Sequence, residues 1–353
     1  MTFIAGISDS KSCILTADNV VTGPLGTIIR DGICTTTGVT IPVNMDDRAF
    51  KIMYPLPNCI MSFAGSDKVG YALAKDLQEK PRLESKEDIQ DFLNSHTKYH
   101  RSGITAIFGI YDGVAKRHRI LKWASTSPNT VEEDVYLYCG SGSNYLGELA
   151  RNFSVNLTHL QVQTTQKSAA FSSYFNQKLF HTTGKKLAYQ GVGGYFYSMA
   201  LERSDLLAQE DTAIIKVEII QRKKAFVIYV IKVAYRKGIL FTNSSVSQER
   251  KAYINSYNCT KEAIESEQLL VRYGNKGLDS LGIDFKDLWD LSNVRNIEVH
   301  FDYDNIRSFY AACDPGEYLS LDDTRTKPII TEKLREEIIN CIETARSKIW
   351  PIS

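Results

Sequence analysis

A hydroxyl and a carboxylate are brought together where the chain starts. Thr2-Phe-Ile-Ala-Gly-Ile7 and Cys13-Ile-Leu-Thr-Ala17 are short apolar, β-prone runs separated by Ser8-Asp-Ser-Lys-Ser12, and so read as the arms of a hairpin. Its symmetry centre falls near Ser10, which predicts Thr2 roughly opposite Asp18. Other constellations are poorer candidates for chemistry. Gly140-Ser-Gly-Ser143 lacks the lysine of a phosphate-binding loop and reads as a tight turn. Gly191-Val-Gly-Gly194 precedes a strand-like run instead of opening a helix, so it makes a poor dinucleotide fingerprint. The six histidines do not pair with cysteines at ligand spacing, so neither a metal nor another cofactor is expected.

The elements that must position these residues follow from hydrophobic pattern and turn signals. Arg48–Met53, a Pro55-Leu-Pro-Asn58 turn and Cys59–Ala64 form a second hairpin. Gly65-Ser66 closes it, with Ser66 as the cap of a helix over Asp67–Glu79 and a further helix over Lys86–Lys98. Ile104–Tyr111 and Arg119–Trp123 flank Asp112-Gly113, a strong turn dipeptide. After a polar loop, Val135–Cys139 is a strand leading to a helix near Asn144. A polar helical region spans Thr165–Lys186, and strands are expected over Tyr195–Leu201, Ala213–Ile220 and Ala225–Thr242. Runs of strands and helices in this order predict an α+β protein, with two antiparallel sheets packed together under outer helices.

Bulk properties narrow the function classes. A net charge of +1 gives no electrostatic reason to bind nucleic acid or an anionic membrane. Seven widely spaced cysteines, without a CxxC, suit a reducing compartment better than a disulfide framework. No basic-then-apolar leader opens the sequence, and no apolar run reaches the roughly 18 residues of a membrane span. The expectation is a cytoplasmic protein.

Several ordered segments resemble the family of proteasome β-subunits and the bacterial HslV peptidase. Thr2-Phe-Ile-Ala-Gly6 with Leu15-Thr-Ala-Asp18 is similar to the family's opening hairpin. Phe50-Lys51-Ile52 and Ser62-Phe-Ala-Gly65 resemble the next hairpin, Phe108-Gly-Ile-Tyr-Asp112 the third, and Cys139-Gly-Ser-Gly-Ser143 the turn before the third helix. The resemblance covers residues 2 to about 242. It implies a four-layer αββα sandwich of the N-terminal nucleophile hydrolase type, spanning 1–242, with a C-terminal α+β extension over 243–353.

It also implies a mechanism. A threonine hydroxyl is a poor nucleophile until a base takes its proton, and a free α-amine on Thr2 can serve once the initiator methionine is removed. Lys51 would lower nearby pKa values, Asp18 would pair with Lys51, the Gly65 N–H would hold the oxyanion, and Ser141 would hydrogen-bond near the α-amine. Ala49, Met53 and Phe63 would line a shallow apolar specificity pocket. The implied function is a self-compartmentalising threonine peptidase, a homo-oligomeric ring taking peptides or unfolded protein, with an unfoldase ATPase as a possible partner. A catalytically inactive scaffold and an amidase of small molecules are the alternatives. Two places depart from the family's pattern: Val192-Gly-Gly194 stands for Ser-Gly-Gly with Tyr189 in the preceding Asp place, and Val20 stands where many active members have Arg.

Residues 243–353 lie outside the resemblance. Asn243–Arg250 reads as a linker, Lys261–Val271 as a helix, Asn296–Phe301 as a strand and Thr331–Ile349 as an amphipathic helix. This extension is expected to contact an adjacent subunit or guard a chamber entrance.

Overall fold

The computed structural model describes residues 2–18, 21–22, 45–46, 51–80, 83–180, 192, 195–220, 225–236, 239–246, 249–255, 282, 290–303, 306–322 and 328–345. Among these, 2–179 and 192–209 make one compact unit, and 210–255 with 282–345 a second.

In the first unit the strands are β1 (Phe3–Ser8), β2 (Cys13–Asp18), the short β3 (Val21–Thr22) and β4 (Met45–Asp46), β5 (Ile52–Leu56) and β6 (Cys59–Ala64). Helices α1 (Asp67–Gln78) and α2 (Lys86–Ser95) follow. Next come β7 (Thr105–Asp112), β8 (Arg117–Ala124), β9 (Val131–Asp134), β10 (Tyr136–Gly140), α3 (Ser143–His159), α4 (Thr164–Phe180), β11 (Phe196–Glu202) and β12 (Asp205–Ala208). Two five-stranded antiparallel sheets result, ordered β10-β1-β2-β11-β12 and β5-β6-β7-β8-β9.

Every residue of β1, β2 and β6 is buried, as expected of continuous apolar strands covered on both faces. Glycines let the two sheets approach. A Cβ on Gly6 would lie 3.1 Å from Ile120 Cγ2, and one on Gly109 only 2.9 Å from Cys13 Sγ. Helix α1 lies against β5 and β6, and α3 against β1 and β10. Ser66 occupies the predicted cap of α1 without a side-chain capping bond, whereas Ser85 and Asp88 form a reciprocal capping box on α2.

The opening hairpin has the expected arms, with its centre between Ser10 and Lys11. Ile4 pairs with Ala17 and Ser8 with Cys13, which places Asp18 opposite Phe3. Asp9 Oδ1 accepts the N–H groups of Lys11 and Ser12 at 2.8 Å and fixes a four-residue loop. Strands β9 and β12 were not foreseen. β9, Val131-Glu-Glu-Asp134, is an edge strand whose charged positions pair across β8 and so carry little apolar alternation.

The second unit contains β13 (Thr212–Ile220), β14 (Ala225–Arg236), β15 (Ile239–Val246), β16 (Glu249–Asn255), β17 (Asn296–Phe301), β18 (Phe309–Ala312), β19 (Leu319–Leu321), β20 (Pro328–Ile330) and helix α5 (Glu332–Thr344). Its main sheet runs β16-β15-β14-β13-β17-β18, with β13 and β17 parallel. The expected division at 242/243 therefore gives way to one after Gln209. β15 runs through residues 242 and 243, and β17 pairs along β13, so residues 210–242 and 243–345 share one sheet and one core. Likewise Asn243–Arg250, read as a linker, contributes to a β15–β16 hairpin. Helix α5 starts at Thr331, whose hydroxyl accepts the Leu334 N–H, and buries Leu334, Ile338 and Ile342 against β13 and β17 side chains. The expected helix over Lys261–Val271 falls outside the described residues. Among the described residues no helix is long and apolar enough to cross a membrane.

Candidate active site

Three side chains from distant parts of the sequence meet in the first unit. Thr2 precedes β1, Asp18 ends β2 in the same sheet, and Lys51 precedes β5 of the other sheet. The Thr2 hydroxyl donates to Asp18 Oδ1 and accepts from Lys51 Nζ. Lys51 Nζ also lies 3.0 Å from Asp18 Oδ1, and the Phe3 N–H donates to that same oxygen at 2.9 Å. One carboxylate oxygen thus gathers a hydroxyl, an ammonium and a backbone amide.

The site is dry. Thr2 is 4% exposed, Lys51 8% and Asp18 0%. Removing an ion pair from water is costly, and the hydrogen bonds onto Asp18 offset part of that cost. Burial pulls the Lys51 ammonium below the ordinary lysine range, while the charge and hydrogen bond of Asp18 oppose that shift. An ammonium donating to a hydroxyl oxygen lowers that hydroxyl's pKa through its positive charge.

The surrounding backbone is held as tightly. Ser62 Oγ donates to the Lys51 carbonyl at 2.7 Å, fixing the strand entry from which the lysine projects. Ser141 Oγ donates to the Thr2 carbonyl at 3.3 Å, so this residue reaches the carbonyl side of Thr2. Gly140, opposite Phe3 in the register, has φ +105°, and a Cβ there would lie 2.0 Å from the Thr2 carbonyl oxygen. Only glycine permits this approach.

Gly65 stands between β6 and α1 with φ +118°, where a Cβ would lie 2.4 Å from the Gly103 carbonyl oxygen. Its place before a helix N-terminus suits an N–H that meets developing negative charge. Of the expected pocket residues, Met53 and Phe63 are 1% and 6% exposed and belong to the apolar cluster that includes Leu73 and Leu77 of α1. Phe63 packs edge-on to Tyr71, and a Cβ on Gly70 would meet its ring. Ala49, Val20 and Tyr189 lie outside the described residues. Val192 is fully buried, and its Cγ2 would lie 3.0 Å from a Cβ on Gly142.

Sequence reasoning gave Ser62 no role of its own and read Gly140 only as part of a tight turn. Alternation in β6 marks Ser62 as a polar residue among apolar neighbours, and Gly140 ends a strand where φ turns positive. Their contacts with the Lys51 and Thr2 carbonyls become visible only once the strands are placed. Among the described residues, no three His, Cys, Asp or Glu side chains converge as a metal site requires.

No family model matches the chain, and no curated protein is similar enough to stand as a relative.

Proposed function

We propose that Thr2 is the nucleophile of an amide-bond hydrolase, and that the chain is a threonine peptidase of the proteasome and HslV kind. In this reading the first unit is a four-layer αββα sandwich, and the protein works in the cytoplasm as a homo-oligomeric ring on peptides or unfolded protein. The observation that carries it is the buried contact of the Thr2 hydroxyl with both Lys51 Nζ and Asp18 Oδ1.

Loss of Met1 frees the α-amine of Thr2, which takes the hydroxyl proton as Oγ1 attacks the substrate carbonyl carbon. The Lys51 ammonium stabilises the developing alkoxide, and the Gly65 N–H meets the oxyanion of the tetrahedral intermediate. As that intermediate collapses, the C–N bond breaks and the leaving amine receives the proton from the α-ammonium. Water then hydrolyses the Thr2 ester and regenerates the hydroxyl. Asp18 keeps Lys51 charged and aimed, and Ser141 holds the Thr2 carbonyl so that the nucleophile cannot swing.

Val192, buried where the resembled family carries serine, favours a second reading in which the same fold is a silent scaffold. Intact mass and hydrolysis of fluorogenic peptides separate the two. The peptidase reading expects protein lacking Met1, and turnover that disappears in Thr2→Ala. Active protein that retains Met1 throughout, or turnover that survives Thr2→Ala, overturns it.

A further inference from the structure

Helix α4 carries polar residues that are fully buried. Ser168, Ser172 and Asn176, spaced by four, have no exposed surface. Two of them act as the missing neighbour of strand β11. Asn176 Oδ1 accepts the Phe196 N–H at 2.6 Å, and its Nδ2 donates to the Phe196 carbonyl at 3.3 Å. One turn earlier, Ser172 Oγ donates to Gln209 Oε1 at 2.8 Å, and the same oxygen accepts the Ser198 N–H at 3.2 Å. Strand β12 pairs with β11 only from Met199 to Glu202, so helix side chains and Gln209 complete the edge beyond it.

What Asn176 holds is next to the site. Phe196 is the strand partner of Asp18. Because both backbone groups of Phe196 point to Asn176, the Phe196–Asp18 pair is of the non-hydrogen-bonded kind, with the two backbones about 4.5 Å apart. The amide of Asn176 therefore holds the outer edge of β11 at the residue that lies opposite Asp18. Packing reinforces this. The rings of Phe3, Phe175 and Phe196 form a triangle, with centroids 5.3 Å, 5.2 Å and 6.0 Å apart. Phe3 follows Thr2, Phe175 precedes Asn176, and Phe196 faces Asp18. No carboxylate occurs between Glu148 and Glu202 that could do this by charge.

We infer that Asn176 is a positioning residue. By holding both backbone groups of Phe196 it fixes the strand pair that carries Asp18, and through Asp18 it aims the Thr2 hydroxyl. The inference rests on the reading of Thr2 as nucleophile. Ser172 is the control, since it supports the same edge at Ser198, whose partner is Thr16, one strand repeat away from Asp18.

The experiment compares full-length Asn176→Ala and Ser172→Ala by peptide hydrolysis and by hydrogen exchange at the Phe3 amide, which donates to Asp18. Asn176→Ala is expected to lower kcat by about 10- to 100-fold at unchanged KM, the scale of a small misplacement of reacting groups. Exchange at Phe3 should rise by about tenfold, whereas Ser172→Ala changes neither. Equal effects of the two variants, or unchanged Phe3 exchange in Asn176→Ala, overturn the inference. If Asn176→Ala does not fold, Asn176→Asp keeps an acceptor for the Phe196 N–H and carries the same comparison, with smaller expected shifts. If the wild type shows no Thr2-dependent hydrolysis, the peptidase reading fails, and Phe3 exchange alone decides the role of Asn176.

Discussion

Each unit buries a lysine against an aspartate at 3.0 Å, but the groups around the two pairs differ. In the second unit, Lys232 also donates to the Asp290 carbonyl at 2.7 Å, and Asp211 receives both terminal nitrogens of Arg236. The contacts seen there are to a backbone carbonyl and to charged side chains. In the first unit, Lys51 shares Asp18 with the hydroxyl of Thr2, so one member of the network can be consumed by a reaction and restored. Burial lowers the pKa of both lysines. A depressed lysine pKa alone therefore does not distinguish a site from a strut. The chemistry of the third partner does.

The sharpest way to break this comparison is to remove that third partner. Thr2→Ala should lower peptide hydrolysis by several orders of magnitude, on the scale of about 10⁴- to 10⁶-fold, with the far-ultraviolet circular dichroism unchanged. Turnover close to wild type would reduce Lys51–Asp18 to the same structural status as its counterpart.

The next effect separates the lysines. Lys51→Met removes the ammonium that lies 3.0 Å from the buried Asp18 carboxylate and should cost about 3–5 kcal/mol in urea unfolding, together with activity. Lys232→Met leaves Asp211 still paired with Arg236. It should cost less, about 1–3 kcal/mol, and spare turnover. Equal losses of stability would show that Arg236 does not compensate.

Acid should act on the second unit through His300, which is fully buried beside Glu298, with its pKa pushed down to about 3 by burial. The unfolded chain binds the imidazole proton near pH 6.5 and the folded state does not, so stability falls as pH drops from about 6.5 towards 3. The limit is about 1.4 kcal/mol per pH unit. His300→Gln should flatten that slope in unfolding followed by a probe in the second unit.

The smallest effect concerns α5. Thr331→Ala removes the hydroxyl that accepts the Leu334 N–H and should cost about 1 kcal/mol, read as a lowered midpoint with unchanged slope.

Much of the local structure was legible. The runs around Thr2–Ile7 and Cys13–Ala17 were apolar enough to be strands, Asp112-Gly113 marked its hairpin, and the spacing of Leu334, Ile338 and Ile342 marked α5. What failed had physical causes. Charged β9 hid its alternation in cross-strand ion pairs. The boundary at 242/243 failed because β17, parallel to β13, reaches it only through a long connection that leaves no local signal. The place of Met53 and Phe63 in an apolar cluster with α1 side chains was not legible either, because sequence position alone does not specify strand facing.

The sequence by itself determined the hairpin that carries Thr2 and Asp18, because adjacent β-prone runs with a turn between them have no closer partner than each other. It also determined that Gly140 and Gly65 must stand at bends, since the side-chain-free residue tolerates positive φ. No local pattern brings Lys51, which leads into the other sheet, to Thr2: the family resemblance implied it, and tertiary structure makes the contact. Only tertiary structure decided that an amide on α4 replaces a strand beside Phe196. Both contacts join segments far apart in the chain, and their geometry comes from how two buried sheets and a helix pack, which no local pattern encodes.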